Sequence, residues 1–189
     1  MRTLGIFLFV LGITITIRYG YEHWKTMSSV SDYNGKVERI ETISKDPSQF
    51  ETGEQVALLV IPKLNKTYEV YWGTDEETLA KGVGMYVSEW TVTPDENGHT
   101  VLSGHRDSVF RPLGELDVGD RFYIVYQGVD YEYEIQKTWI TDAEDRTVIV
   151  EKDEPIATLS TCYPFTYIGS APDRYIIQAH LVQKGELLS

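Results

Sequence analysis

The sequence predicts a mainly β protein, a closed eight-stranded barrel with one or two short helices, preceded by an amino-terminal membrane helix. Three observations carry that prediction. Thirteen tyrosines and many Val, Ile and Thr residues favour strands, while seven prolines and fifteen glycines supply turns between them. RFYIVYQ (Arg121–Gln127) and YEYEIQKTW (Tyr131–Trp139) alternate apolar with polar around a Gly128-Val129-Asp130 connection, the period of an antiparallel hairpin. Short apolar runs recur along the rest of the folded part with few helical patterns between them, the spacing of a closed or nearly closed barrel.

Each element follows in chain order. Arg2 and Arg18 bracket an uncharged apolar run, Thr3 to Ile17, of 15 residues, about 22 Å long as a helix. Tyr19, Tyr21 and Trp24 extend it as an interfacial belt. No small-x-small cleavage site follows Ile17, so residues 1–24 read as an uncleaved signal anchor. Single-pass insertion in the cell membrane then leaves the amino terminus inside and the remaining chain outside. Residues 25–55 are polar and read as a stem, with a short helix near 36–43. The barrel domain occupies residues 56–189. VALLVIP is a buried strand stopped by Pro62, and Thr67–Trp72 is a second strand. Thr74-Asp75-Glu76-Glu77 is a capping-box pattern that opens a short helix through Lys81. Asp95-Glu96-Asn97-Gly98 turns into the strand Thr100–Ser103. After the hairpin, Thr147–Val150, Ile156–Thr161 and Tyr175–Val182 complete the set.

The formal net charge of −12 excludes nucleic acid as a partner, because phosphate binding needs a basic surface. The single cysteine, Cys162, rules out an internal disulfide. A lone cysteine is more often a buried hydrophobe than a nucleophile, and it becomes a candidate only beside a histidine. His23 lies in the membrane-proximal segment. His99 adjoins Gly98 in a turn, where exposure is expected. His180 shares the face of Arg174 but sits six residues away in the last strand, about 20 Å. His105 remains, presented just past a strand end in VLSGHRD. Arg174 opens the last strand with parity opposite to Tyr175, Ile177, Ala179 and Leu181, so it points away from the core. It is free either to line a groove or to pair with a surface carboxylate such as Asp173.

The segments LSGHRD, TLSTC and DRYIIQAH, in that order, resemble the sortases, membrane-anchored cysteine transpeptidases of Gram-positive bacteria. LLVIPKLN, LAKGVGMY and PLGELDVGDRFYI extend the resemblance over roughly Ala57 to Gln183, and the short Cys-to-Arg loop with the amino-terminal anchor is most like class D. The resemblance implies an eight-stranded β-barrel, with His105, Cys162 and Arg174 as catalytic residues and no cofactor. It implies as partners secreted proteins bearing a carboxy-terminal Leu-Pro-x-Thr-(Gly/Ala) signal, and an acceptor amine on a peptidoglycan precursor or stem peptide. Calcium enters as a question because some sortases bind it near loops comparable to the acidic stretch Thr141–Glu154. That stretch lacks the spaced ligands and glycine of a calcium loop, so a solvated acidic surface is expected. A cysteine protease, an L,D-transpeptidase-like cell-wall enzyme and a non-catalytic tethered β-domain that binds a partner are the alternatives.

Overall fold

The structure is a computed structural model, and it describes residues 2–35, 37, 45–166, 169 and 171–188. A helix, α1 (Arg2–Ser28), leads into nine strands: β1 (Val30–Asp32), β2 (Gln55–Ile61), β3 (Lys66–Trp72), β4 (Val83–Met85), β5 (His99–Ser103), β6 (Arg121–Tyr126), β7 (Val129–Asp142), β8 (Ile156–Tyr163) and β9 (Asp173–Gly185). A short helix, α2 (Glu76–Lys81), lies between β3 and β4. The sheet order is β1-β3-β2-β6-β7-β9-β8-β5-β4, and β4 pairs back onto β3. Eight strands therefore close into the expected barrel, and β1 adds a ninth outside the ring. All neighbouring pairs are antiparallel except β5–β8 and the closing pair β3–β4.

β2 is apolar on both faces because both are covered. Ala57, Leu59 and Ile61 enter the barrel core, whereas Leu58 and Val60 pack outside it with Val125 and the carboxy-terminal Leu188. Burying such a side chain is worth about 1.5–3 kcal/mol. Asp130 secures that outer cover by accepting from the backbone N–H groups of Leu187 and Leu188 at 2.7 and 2.8 Å. The β6–β7 hairpin turns at Gln127 and Gly128, with φ of +48° and +78°. Two consecutive positive values make the two-residue turn whose twist suits antiparallel strands, so the turn lies one residue earlier than expected. Inside the barrel, Phe122 stacks on Tyr133 with ring centroids 5.5 Å apart.

Three local expectations change. The helix α2 is capped by Asp75 rather than Thr74, its carboxylate accepting from the Thr78 N–H at 3.1 Å and the Thr78 hydroxyl at 2.5 Å. Thr147–Val150 is no strand but part of the connection between β7 and β8. The eighth barrel strand is instead β4, three residues with a glycine at the centre. Gly84 is required there, since a Cβ would stand 2.4 Å from the Gly73 carbonyl oxygen.

The helix α1 carries an 18-residue stretch, Leu4–Tyr21, long and apolar enough to cross a membrane, and none of it is buried against the domain. Its Thr14 and Thr16 hydroxyls donate to the carbonyls of Val10 and Gly12 four residues back, so neither needs an outside partner. The segment read as a stem holds regular structure at its start. Thr26 donates its hydroxyl to the Ala80 carbonyl, the Ser29 carbonyl accepts from Glu69 N at 2.9 Å, and β1 pairs with β3. The helix expected near 36–43 falls, apart from residue 37, outside the described residues.

Candidate active site

Ser103 of β5 pairs in parallel with Ser160 of β8. The pairing outlasts the strand, because Gly104 N donates to Ser160 O at 3.2 Å and the Thr161 hydroxyl donates to Gly104 O at 2.7 Å. His105 therefore leaves β5 level with Cys162. On the opposite side Cys162 faces Arg174 directly in the antiparallel β8–β9 ladder. With neighbouring strands about 4.8 Å apart, His105, Cys162 and Arg174 form one row across three adjacent strands at one end of the barrel. Ala157 and Leu159 of β8, like Ile177 and Ala179 of β9, point into the core. Strand alternation then places Cys162 and Arg174 together on the outer face. The thiol is half-buried and unpaired.

The local sequence explains this row. A Cβ at Gly104 would lie 2.8 Å from both Phe110 and Val109, so glycine lets the chain fold back tightly after β5. Phe110 N closes that turn on His105 O at 3.0 Å. Just past Cys162, Tyr163 and Phe165 form a cluster with Tyr175, with ring centroids 5.3–6.3 Å apart. The Arg174 guanidinium donates to the Asp173 carbonyl at 3.1 Å. Among the described residues no carboxylate forms an ion pair with it, so its planar face of donors is not consumed by the acidic surface. His180 sits at the far end of β9, opposite Ile156.

A groove of about 690 Å³ is lined by Tyr86, Trp90, Ala143, Arg146, Ile149 and Val150 among others. Tyr86 N bonds to Val101 O at 2.8 Å, and Val101 is level with Thr158. That places this wall four residues below Cys162 along β8, about 13 Å.

A sortase-domain family model matches residues 59–182. The chain belongs to the sortase family. Sortase D of Bacillus subtilis is 49% identical to this sortase over 130 residues, 67% of this chain and 64% of that protein. SrtE1 of Streptomyces coelicolor is 28% identical over 155 residues, 71% of this chain and 42% of that protein. This sortase thus spans less than two thirds of either relative's length. Among solved structures, the catalytic domain of B. anthracis SrtD matches with a TM-score of 0.64 at 55% identity, covering 78% of this chain and 98% of that one. A Clostridium perfringens sortase D5 transpeptidase matches with 0.64 at 29% identity, covering 72% and 84%. The likeness to sortase D proteins agrees with the class D expectation.

Two residues differ from what the sequence suggested. Arg106 is buried and donates through Nη2 to Gly169 O at 2.7 Å, tying the turn that carries His105 to the β8–β9 connection. Its signal was present, as the third letter of GHR. His99 is the larger correction, for it is fully buried rather than exposed. Its Nδ1 lies 2.8 Å from Val150 O and its Nε2 2.7 Å from the Thr158 hydroxyl. The carbonyl can only accept, so Nδ1 donates and a neutral Nε2 accepts from Thr158. One imidazole thus pins the groove wall at Val150 to the strand that carries Cys162.

Burial holds the His99 pKa below its ordinary 6.5; the bond to Val150 opposes this in part, and Lys152 adds to it. A base whose folded pKa is depressed contributes its full stability above the unfolded value and loses it as the pH falls below that value toward the folded one. Urea midpoints are therefore expected to fall as the pH drops below about 6.5, and His99→Gln should remove that part of the slope. The carboxylates held low by hydrogen bonds, such as Asp75 through Thr78, act in the same direction but only below their ordinary 3.8. A wild-type slope unchanged by His99→Gln between pH 7 and 5 would refute the assignment.

In the acidic connection, Asp145 accepts from the Thr141 hydroxyl and from Thr147 N and Oγ1 at 2.9 and 2.7 Å, which holds its carboxyl below the ordinary value. Asp142 accepts from Glu144 N at 2.8 Å. These carboxylates shape turns. Among the described residues, no three His, Cys, Asp or Glu side chains cluster to hold a metal ion.

Proposed function

We propose that this sortase is a membrane-anchored transpeptidase that joins secreted proteins to a cell-wall amine without a cofactor. The observation that carries the reading is the row of His105, Cys162 and Arg174 across three neighbouring strands. The Cys162 thiolate attacks the Thr carbonyl of a Leu-Pro-x-Thr-(Gly/Ala) signal. His105 protonates the departing amine and then deprotonates the incoming one. Arg174 donates charge-assisted hydrogen bonds to the oxyanion or to the peptide backbone. The position of the Tyr86 wall supports the signal class, because an extended peptide with its fourth residue at Cys162 places its first about 10–13 Å away, level with Tyr86. The helix α1 crosses the cell membrane with its amino terminus inside, which presents the barrel to exported proteins. Residues 1–24 are the anchor, 25–55 the connection and 56–189 the enzyme.

A panel of short signal peptides, incubated with the full chain in detergent micelles and read by mass spectrometry, tests this. A thioester mass on Cys162 that is lost in Cys162→Ala, with amide product once an amine is added, is expected. Hydrolysis that ignores added amine would point to a simple protease. No adduct with any peptide would leave only a tethered β-domain.

A further inference from the structure

His99 is fully buried, and no step of the transfer at Cys162 uses its ring. Leu102 of β5 and Leu159 of β8 point into the core. His99 and Thr158 have the opposite parity on those two strands, so both face outward, on the side that bears Cys162. A residue that faces outward and is still fully buried must be covered from outside. The cover is the connection between β7 and β8. Nδ1 of the ring donates to the Val150 carbonyl at 2.8 Å, while Nε2 accepts from the Thr158 hydroxyl at 2.7 Å.

That connection is fastened at its two ends. Ala143 N donates to Pro172 O at 3.0 Å, and Asn97 Nδ2 donates to Asp153 O at 2.7 Å. Between these points, Thr147 bonds back to Asp145 within its own turn. Among the described residues, the His99 ring makes the one hydrogen bond that ties residues 146–152 to another element. The same stretch supplies Arg146, Ile149 and Val150 to the lining of the groove that Tyr86 and Trp90 also line. The imidazole therefore sets how this wall stands over β8.

We propose that His99 is a positioning residue for the signal peptide: it holds the wall at residues 146–152 in place before the peptide arrives, and so sets the affinity for the signal's first side chain. The inference rests on the reading of Cys162 as the residue that takes the acyl group. Thr158 lies four residues from Cys162 along β8, about 13 Å. An extended signal with its fourth residue at the thiol therefore has its first residue level with the His99–Thr158 bond. A wall already in its bound conformation spares the peptide the entropy of ordering it, which is a gain in binding. The ring stands too far from the thiol to act on the bonds that break and form.

The test uses the full chain in detergent micelles, an added amine, and two peptides, Leu-Pro-Ala-Thr-Gly and its counterpart with alanine in first place. His99→Leu removes both hydrogen bonds at similar volume. Its KM for the leucine peptide should rise about tenfold at constant kcat, the upper worth of one neutral hydrogen bond. The preference for leucine over alanine in kcat/KM should shrink by a similar factor. His99→Gln, whose amide offers one donor and one acceptor, should restore most of both. Thr158→Val keeps the shape of its residue and breaks the Nε2 bond alone. It should move KM in the same direction, and it decides the matter where the leucine variant does not fold. Alkylation of Cys162 by iodoacetamide, which needs no groove, should keep its wild-type rate throughout. A fall in kcat at unchanged KM, a leucine preference that survives in the folded variants, or a glutamine no better than leucine overturns the proposal. Wild-type protein that is alkylated yet forms no peptide thioester overturns the acyl-enzyme reading, and the positioning role with it.

Discussion

Arg174→Lys is expected to lower kcat/KM for peptide transfer by about a hundredfold to a thousandfold, the range for losing a donor to a developing oxyanion. The reason is geometric. Arg174 stands directly opposite Cys162 in the ladder, and among the described residues its guanidinium makes one hydrogen bond, to the adjacent Asp173 carbonyl. The remaining N–H groups can be directed at the substrate as a planar fork. Lysine keeps the charge but offers a point donor on a flexible stem, so two parallel bonds become one at best. The division of the loss separates two roles. A fall in kcat at constant KM marks stabilisation that arises only in the transition state, whereas a rise in KM at constant kcat marks peptide positioning. Because this side chain ties no other element together, the melting temperature should hold. Activity within threefold of wild type would remove Arg174 from the chemistry.

The sequence made the long elements of this fold legible, and the reason is burial pattern. The β6–β7 hairpin alternates on two faces, and β2 reads as a continuous apolar run because both its faces are covered. What it hid depends on distant chain. Thr147–Val150 has the composition of a strand, yet its Val150 carbonyl is taken by the His99 ring from a strand 51 residues away. The same contact buries His99, which nothing beside it in the chain foretells. β4 is the converse, three residues too short to carry a period. The eight strands read from sequence and the eight of the ring therefore agree in number but not in membership. The placement of His105, Cys162 and Arg174 in one row was legible because two strand ends and a strand start carry them.

Gly84→Ala is expected to destabilise the barrel by roughly 2–3 kcal/mol, the upper range for forcing atoms into a filled site. Its Cβ would stand 2.4 Å from the Gly73 carbonyl oxygen, with Leu79 Cδ2 at 3.0 Å and Thr74 Cγ2 at 3.1 Å. A flexible side chain could swing aside, but a backbone oxygen cannot without moving β3. The two segments are already joined there, as Gly73 N donates to Met85 O at 2.9 Å. Among the described residues the ring closes through the β3–β4 seam, three residue pairs long, so little pairing remains to absorb the strain. Urea denaturation should show a lower midpoint, and Gly12→Ala in the exposed helix, where nothing lies within 4 Å of the added methyl, should not. Unequal effects on stability and activity would be informative, because β4 also pairs with β5, Met85 opposite Leu102 and Gly84 opposite Ser103. His105 leaves the chain two residues past that pair, so a displaced seam should move the imidazole relative to the thiol. Transfer should then fall further than the folded fraction alone accounts for, even at temperatures where the barrel is still intact. An unchanged midpoint would mean that β3 yields freely at Gly73, and that the seam does not hold the ring shut.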